Sequence, residues 1–401
     1  MEILHILPEH ADCRQYELDL QTTLAQTLKD TKGYGDAAVA AVYRRAWELC
    51  QQVPDAPQRF QVLLGQSIYY VTRAELQTAY ALGEQLLSIA QRAQDAVRLV
   101  EAHYTLGVTA FWLGRFVSAW EHLEQGIKHY DPHKHRSHIA LFGQDGGAVC
   151  LCRLAIVLWY LGYPEQALRR SHQALTLVRE LAHPFSVAYV QCWVALLYHH
   201  RREPQPTQEV TDTLIACATE QGFPFWASQG RVMQGWLRVQ QGQVTAGIAQ
   251  IQQGLVDLQA TGAALHRPYF LSLLADAYGK AGQSLEGLQV LAEALTLIEN
   301  NGGRWDKAEI HRLKGELLLL QQSTDHQAEA EASFQHALEI ARMQQAKSLE
   351  LRTATSLSKL WHQQGKRQEA HDLLAPVYHW FTEGFDTADL QEAKALLEAL
   401  A

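Results

Sequence analysis

The amino-acid sequence predicts an all-α protein, a right-handed α-solenoid of about nine helix-turn-helix units of roughly 40 residues each, with a capping helix at its carboxyl end. Three observations predict this fold: small residues recur at an even spacing, glycines and prolines divide the chain into pairs of helices, and residues that favour helices dominate the composition. At 401 residues the chain exceeds the usual size of a single hydrophobic core. A repeat array therefore explains its length.

Small side chains recur at the positions where two helices of one unit would touch. They are Gly65, Gly107, Ala155, Ala195, Gly235, Ala275, Gly315 and Ser358. Between Ala155 and Gly315 the four successive separations are 40 residues each. Because glycine inside a helix costs about 1 kcal/mol relative to alanine, we expect a compensating close approach of a neighbouring helix.

A second glycine follows seven residues later in five of the units and predicts the end of the first helix in a left-handed cap. These glycines are Gly114, Gly162, Gly242, Gly282 and Gly365. Pro184, Pro224 and Pro268 stand where the next unit begins, and proline is favoured in the first turn of a helix.

The whole chain, 1–401, is predicted to be one solenoid. Helical periodicity at 17–29 and 36–52 adds a pair of helices before the first small residue. The amino-terminal repeats are expected over 1–130, a long connector over 131–148, and the remaining repeats over 149–386. The last segment, 387–401, is predicted to be an amphipathic helix that caps the stack.

The composition disfavours several classes of protein. A net charge of −9 and an isoelectric point near 6.1 are unlike a nucleic-acid surface, which needs a basic face. No apolar run approaches the 18 residues of a membrane span, and the start from Met1 to His5 lacks the features of a signal peptide. We therefore expect a cytoplasmic protein whose six cysteines are buried, reduced thiols.

The spacing and the helix-pair pattern resemble tetratricopeptide repeats (TPR), with units longer than the usual 34 residues. More narrowly, several stretches resemble the carboxyl-terminal repeats of bacterial signalling proteins that join a STAND/AAA-type ATPase to a class III adenylate cyclase or another output domain. The stretches that carry this resemblance are 31–34, 74–79, 130–145, 220–226, 277–282, 313–318 and 365–390.

The resemblance implies a non-catalytic sensor module that binds a peptide, a protein or an effector and biases an associated ATPase or cyclase. The chain departs from the complete family pattern, because it has no GxxxxGK[ST] phosphate loop. Nor does it contain a GxSxG nucleophile motif. We therefore predict no catalytic residue, no metal ligand and no cofactor, and we expect neither nucleic acid nor a membrane as partner.

Aromatic pairs at the end of the first helix in consecutive units indicate a concave groove that holds an extended peptide or a protein segment. Aromatic side chains are more often core residues, so packing inside the hairpins is the alternative explanation. The predicted groove residues are Tyr69, Tyr70, Tyr104, Phe111, Trp112, Trp159, Tyr160, Tyr189, His199, His200, Trp236, Tyr269, Lys280, Arg312, Arg352 and Lys359. Asp276, Glu309 and Glu316 share the register of the charged members of this set.

Four histidines, His129, His133, His135 and His138, could suggest a metal site. Their mixture with basic residues in the connector favours a solvated segment instead. Two further functions stay open: a free-standing scaffold that assembles partner proteins, and an enzyme without a recognisable motif.

Overall fold

The computed structural model describes residues 11–53, 56–321 and 323–401, and these residues are helical throughout, with short connections. The helices are α1 (Ala11–Lys32), α2 (Ala37–Gln52), α3 (Arg59–Thr72), α4 (Leu76–Ala93), α5 (Ala96–Trp112), α6 (Phe116–His129), α7 (His135–Phe142), α8 (Gly146–Tyr160), α9 (Pro164–Leu181), α10 (Pro184–His200), α11 (Pro204–Glu220), α12 (Pro224–Gln240), α13 (Val244–Ala260), α14 (Arg267–Lys280), α15 (Ser284–Asn301), α16 (Lys307–Leu319), α17 (Thr324–Met343), α18 (Lys347–Gln363), α19 (Arg367–His379) and α20 (Ala388–Leu400).

Consecutive helices pack as antiparallel hairpins, each against the next, which confirms the all-α repeat fold. In the described part of the chain there are nine such hairpins, the short helix α7 between the third and the fourth, and α20 packed on α18 and α19 at the end. None of the described helices is both long and apolar enough to cross a bilayer. The segment 1–5, on which the expectation of no signal peptide rests, lies outside the described residues.

The helix boundaries predicted from the three prolines and the five turn glycines are confirmed. Pro184 and Pro224 are the first residues of α10 and α12, and Pro268 lies in the first turn of α14. The five turn glycines adopt left-handed backbone conformations, with φ between 72° and 91°, as a glycine cap requires.

Close contact between helices at the small residues is also confirmed. A Cβ atom added to Gly235 of α12 would lie 2.7 Å from Cγ1 of Ile251 and 2.9 Å from the carbonyl oxygen of Gly247, both in α13. The missing side chain therefore lets two backbones approach each other. At Gly65 the space is filled instead by the ring of Tyr43 from the preceding hairpin.

Later units of the solenoid lie directly against earlier ones. Hydrogen bonds at the ends of first helices mark this contact, and three of them join residues that are 189 to 192 positions apart in the chain. They join the Ala264 amide to the Thr72 carbonyl (3.1 Å), the Arg304 amide to the Trp112 carbonyl (2.8 Å), and the Ser348 hydroxyl to the Trp159 carbonyl. Because the last carbonyls of a helix lack partners within it, the bonds to Thr72 and Trp112 satisfy groups that would otherwise need water, whereas the Trp159 carbonyl also accepts from the Gly162 amide at 3.0 Å.

Nine of the predicted groove residues are buried, which corrects the expectation that these side chains line an open surface. Trp305, from the connection between α15 and α16, lies with its ring centroid 5.1 Å from those of both Phe111 and Trp112. The later repeat thus fills what would be the concave face of the early repeats. Phe111 and Trp112 are therefore core residues, in agreement with the alternative explanation. Six of the nine lie outside the cavity described below, namely Tyr104, Phe111, Trp112, Trp159, Tyr160 and Tyr189, and the other three are His200, Trp236 and Tyr269.

The connector 131–148 is not a simple solvated loop. It contains a 3-10 turn (Pro132–Lys134), α7 and the start of α8. His138 is buried, and its Nδ1 atom lies 3.1 Å from Oε1 of the buried Glu101, which corrects the expectation of a solvated histidine at that position. His133 is exposed, whereas the ring of His129 stacks on that of His103.

Candidate functional site

A cavity of about 560 Å³ lies on the inner face of the carboxyl-terminal half. We call it the C-terminal groove. Its walls come from the first helices of five successive hairpins, α10, α12, α14, α16 and α18, and α20 closes one side. Eight of the predicted residues are brought together here: His199, His200, Trp236, Tyr269, Lys280, Arg312, Arg352 and Lys359. Asp276, Glu309 and Glu316, which share their register, also line it.

The remaining predicted residues lie elsewhere. Tyr69 and Tyr70, at the end of α3, are half-buried and contact each other with ring centroids 5.6 Å apart. Neither of them lines the C-terminal groove. The other six are the buried aromatic residues described above.

The inner wall of the groove carries a tightly bonded pair, Arg312 and Glu309, both on α16. Arg312 donates from Nε and Nη2 to the two carboxylate oxygens of Glu309, at 2.9 and 2.7 Å. Burial by itself would raise the pKa of Glu309, but Arg312 and, less strongly, Arg352 hold that pKa at about 2. The carboxylate is therefore ionised across the whole physiological range, and the bidentate geometry fixes the guanidinium in place.

Arg352 links the groove to the rest of the superhelix. Its Nε atom donates to Oδ2 of Asp389 in α20 at 2.8 Å, and its Nη2 atom donates to the carbonyl oxygen of His200. The guanidinium also lies 4.8 Å from the ring centroid of Trp159. One side chain thus joins α18 to α20, α10 and the aromatic interior.

The rim of the groove is polar and carries both signs of charge. On the α20 side, Arg202 donates to Asp389 at 3.3 Å and to Glu392 at 2.6 Å, and Lys359 donates to Glu392. On the opposite side, Lys280 pairs with Asp276 one helical turn away at 3.0 Å. These rim residues are a third to a half exposed apart from Asp389, so a ligand can reach them.

The aromatic wall of the groove is uncharged. The Tyr269 hydroxyl lies 2.8 Å from Nδ1 of His199, and the His199 ring meets the Trp236 ring edge to face at 4.6 Å between centroids. Burial, together with the charge of Arg352, lowers the pKa of His199 to about 3. Burial likewise lowers the pKa of His200, so both imidazoles are neutral.

Sequence reasoning missed four charged residues of the groove: Arg202, Asp306, Asp389 and Glu392. None of them lies in the repeat register that identified the others. Arg202 is in a turn, Asp306 precedes α16, and the last two belong to the capping helix. Among the described residues no three histidine, cysteine, aspartate or glutamate side chains come together in a way that could hold a metal ion.

No protein-family model matches the chain. An uncharacterized protein of Rhizobium meliloti is 23% identical over 342 residues, which are 84% of this chain and 33% of that protein. The chain therefore spans about a third of the length of this relative.

Many solved structures share the fold, among them three with TM-scores above 0.5. The Rap protein complexed with the Competence and Sporulation Factor superposes with a TM-score of 0.57 at 12% identity, covering 82% of this chain and 99% of that one. The Cut9–Hcn1 hetero-tetramer of the APC/C gives 0.54 at 12% identity, over 90% of this chain and 59% of that one. The Rap conjugation gene regulator of plasmid pLS20 in complex with the Phr* peptide gives 0.51 at 11% identity, over 96% and 98%. These similarities show that the chain has a TPR-like helical repeat fold.

Proposed function

We propose that this chain is a non-catalytic interaction module and that its C-terminal groove binds an extended peptide or a segment of a partner protein. The observation that carries the proposal is the convergence of side chains from α10, α12, α14, α16, α18 and α20 on one cavity. A surface assembled from six helices can contact several successive residues of an extended ligand, which a pocket within one hairpin cannot do.

The chemistry of the groove supports a peptide. Its rim offers exposed donors and acceptors of both charges. Its wall includes the rings of His199, Trp236 and Tyr269, the last two at most 6% exposed, and charged groups beside aromatic rings are common in peptide-binding surfaces. The same fold is found in a complex with the Phr* peptide. That similarity supports a peptide as ligand class for this chain and does not identify the peptide.

In the same proposal, ligand binding biases an associated signalling domain of a bacterial system, such as a STAND-type ATPase or an adenylate cyclase. Two observations support it. The repeats resemble those of such signalling proteins, and the Rhizobium meliloti relative is about three times as long as the matched region, so repeats of this kind occur inside larger chains.

The experiment begins with peptides selected from a phage-displayed library on the purified protein, followed by measurement of their dissociation constants. Gln240→Trp places a bulky side chain on the exposed inner face of α12, and Lys280→Glu reverses a rim charge. Each variant should weaken binding about tenfold or more, at unchanged helicity. Lys394→Glu, on an exposed part of α20 away from the groove, is the matched control and should bind like the wild type.

Equal affinities for all four proteins would show that the selected peptides bind outside the groove, and the proposal would fail. Hydrolysis of ATP or formation of cyclic AMP by the purified chain, above the rate of a heat-inactivated control, would contradict its non-catalytic nature.

A scaffold that assembles partner proteins is the second candidate function. It is favoured by Trp380 and Phe385, large side chains that are 37% and 49% exposed outside the groove, since exposed aromatic residues are typical interface anchors. A pull-down that loses its partners with Trp380→Ala and Phe385→Ala together, but keeps them with Gln240→Trp, would favour the scaffold over the peptide-binding groove.

A further inference from the structure

The floor of the C-terminal groove contains a carboxyl group that the rest of the site leaves without an ion-pair partner. Asp306 is 1% exposed and lines the groove. Its Oδ2 atom accepts a long hydrogen bond of 3.4 Å from the Ser272 hydroxyl. Its Oδ1 atom is buried and has no hydrogen-bond partner among the described residues.

This carboxyl group also does not serve the helix that it precedes. Asp306 occupies the N-cap position of α16, yet its side chain makes no capping hydrogen bond. Aspartate at this position ordinarily accepts a bond from a backbone amide of the first turn, as Asp95 does at the start of α5. The side chain of Asp306 is therefore free of the usual local role, although an unsatisfied buried oxygen is costly.

The balance of charge around the groove indicates what is missing. Five cationic side chains line the groove, and each forms an ion pair with one of five carboxylates. Asp306 is the sixth carboxyl group of the lining and forms no such pair with any described residue. The groove is thus complementary to a ligand that brings one positive charge to its floor.

The immediate surroundings determine the protonation of this group. Burial, and next the negative charge of Glu309, raise the pKa of Asp306 well above its usual range, and the cations of the inner wall offset this only in part. The groups that face it are Glu309 and Arg312 from α16, Arg352 from α18, Tyr269 and Ser272 from α14, and Tyr160 from α8.

We propose that Asp306 forms a subsite for a single cationic group of the ligand, the ammonium of a lysine or the guanidinium of an arginine in the bound peptide. This inference rests on the proposed function of the groove and names the chemistry of its ligand. The cation donates to the unpartnered Oδ1 atom, and the neighbouring ring of Tyr269 provides an aromatic surface of the kind that cations favour. The Asp306 carboxyl loses its proton to solvent as the ion pair forms.

The test uses blocked peptides, acetyl-Gly-Gly-Xaa-Gly-Gly-amide, in which Xaa is arginine, citrulline or glutamate, so that Xaa carries the sole charge. Titration calorimetry at about pH 6, in two buffers of different ionisation enthalpy, gives affinity and proton release together. The arginine peptide should bind about tenfold or more tightly than its neutral citrulline isostere. Up to one proton should be released, so affinity should increase as the pH rises.

Asp306→Asn keeps the shape and the bond with Ser272 but cannot ionise, and it should abolish both the arginine preference and the proton release. Asp95→Asn changes another N-cap aspartate outside the groove and should alter neither. Equal binding of arginine and citrulline peptides by the wild type would overturn the cation subsite while leaving the groove intact. Preference for glutamate, or a preference for arginine that survives in Asp306→Asn, would overturn it too. If these peptides and the phage-selected ones all fail to bind, the proposed function itself fails.

Discussion

Replacement of Trp305 by alanine tests the central structural feature of this protein, the packing of later repeats against earlier ones. Trp305 is 2% exposed, and its ring lies 5.0 to 5.1 Å from those of Phe111, Trp112 and Tyr269. Two of these neighbours belong to α5 and one to α14. The side chain therefore contacts repeats that are far apart in the sequence.

The expected loss of stability follows from the buried area. A fully buried aromatic side chain removes roughly 150–250 Å² from water, which at about 25 cal/mol per Å² corresponds to roughly 4–6 kcal/mol. Measured losses for tryptophan-to-alanine changes in cores are about 3–5 kcal/mol. We expect about 4 kcal/mol for Trp305→Ala, together with a larger radius of gyration, because the contact between distant repeats is weakened.

Urea denaturation followed by circular dichroism measures the loss of stability, and small-angle X-ray scattering measures the radius of gyration. Trp120→Ala is the matched control, since Trp120 lies on α6 with 41% of its side chain exposed and should cost less than about 1 kcal/mol. If Trp305→Ala denatured at the same urea concentration as Trp120→Ala, with an unchanged radius, the filled interior described here would be refuted.

Three further predictions follow from individual contacts. Gly235→Ala should destabilise the protein by about 1–3 kcal/mol in urea denaturation, because the new Cβ would meet backbone atoms. Gly279→Ala should be neutral or stabilising, because the new Cβ there would meet only the ends of side chains. Equal changes in stability for the two variants would contradict this explanation. Burial lowers the pKa of His199 and of His266 to about 3 from 6.5, so the unfolded chain binds more protons and stability should fall as the pH drops below about 6.5, by about 1.4 kcal/mol per unit for each histidine. A urea midpoint that stays constant between about pH 7 and pH 5 would argue against neutral buried imidazoles. Asp389→Asn removes a carboxylate that bonds two arginines and should cost about 2 kcal/mol, with faster amide exchange in α20; exchange unchanged there would show that these bonds do not hold the helix.

The predicted residues that line the C-terminal groove all lie within the first helices of the repeats. Relative to the small residues Ala275, Gly315 and Ser358, the side chains of Lys280, Arg312 and Lys359 stand five places after, three before and one after. These offsets differ by steps of four, so helical periodicity places them on one face of the first helices. Asp306 and Asp389 could not be found in this way. One lies in a connection and the other in the capping helix, and their positions depend on how the ends of the solenoid fold back.

The sequence by itself determined the repeat. Evenly spaced small residues such as Gly235 let two helices pack closely, and turn glycines such as Gly242 end each first helix with a left-handed residue. These are local requirements within one hairpin, and each requires a small residue or a glycine at a fixed spacing in the sequence.

Only the tertiary structure decided which side of the solenoid is accessible. Whether Phe111 and Trp112 face a ligand or a later repeat depends on the curvature that accumulates over several hairpins, because each unit adds a small rotation to the last. That sum brings Trp305 into the concave face of the early repeats and leaves the groove open at the carboxyl-terminal end. The accumulated rotation cannot be read from a local sequence pattern, because small differences in packing at each interface between hairpins determine it.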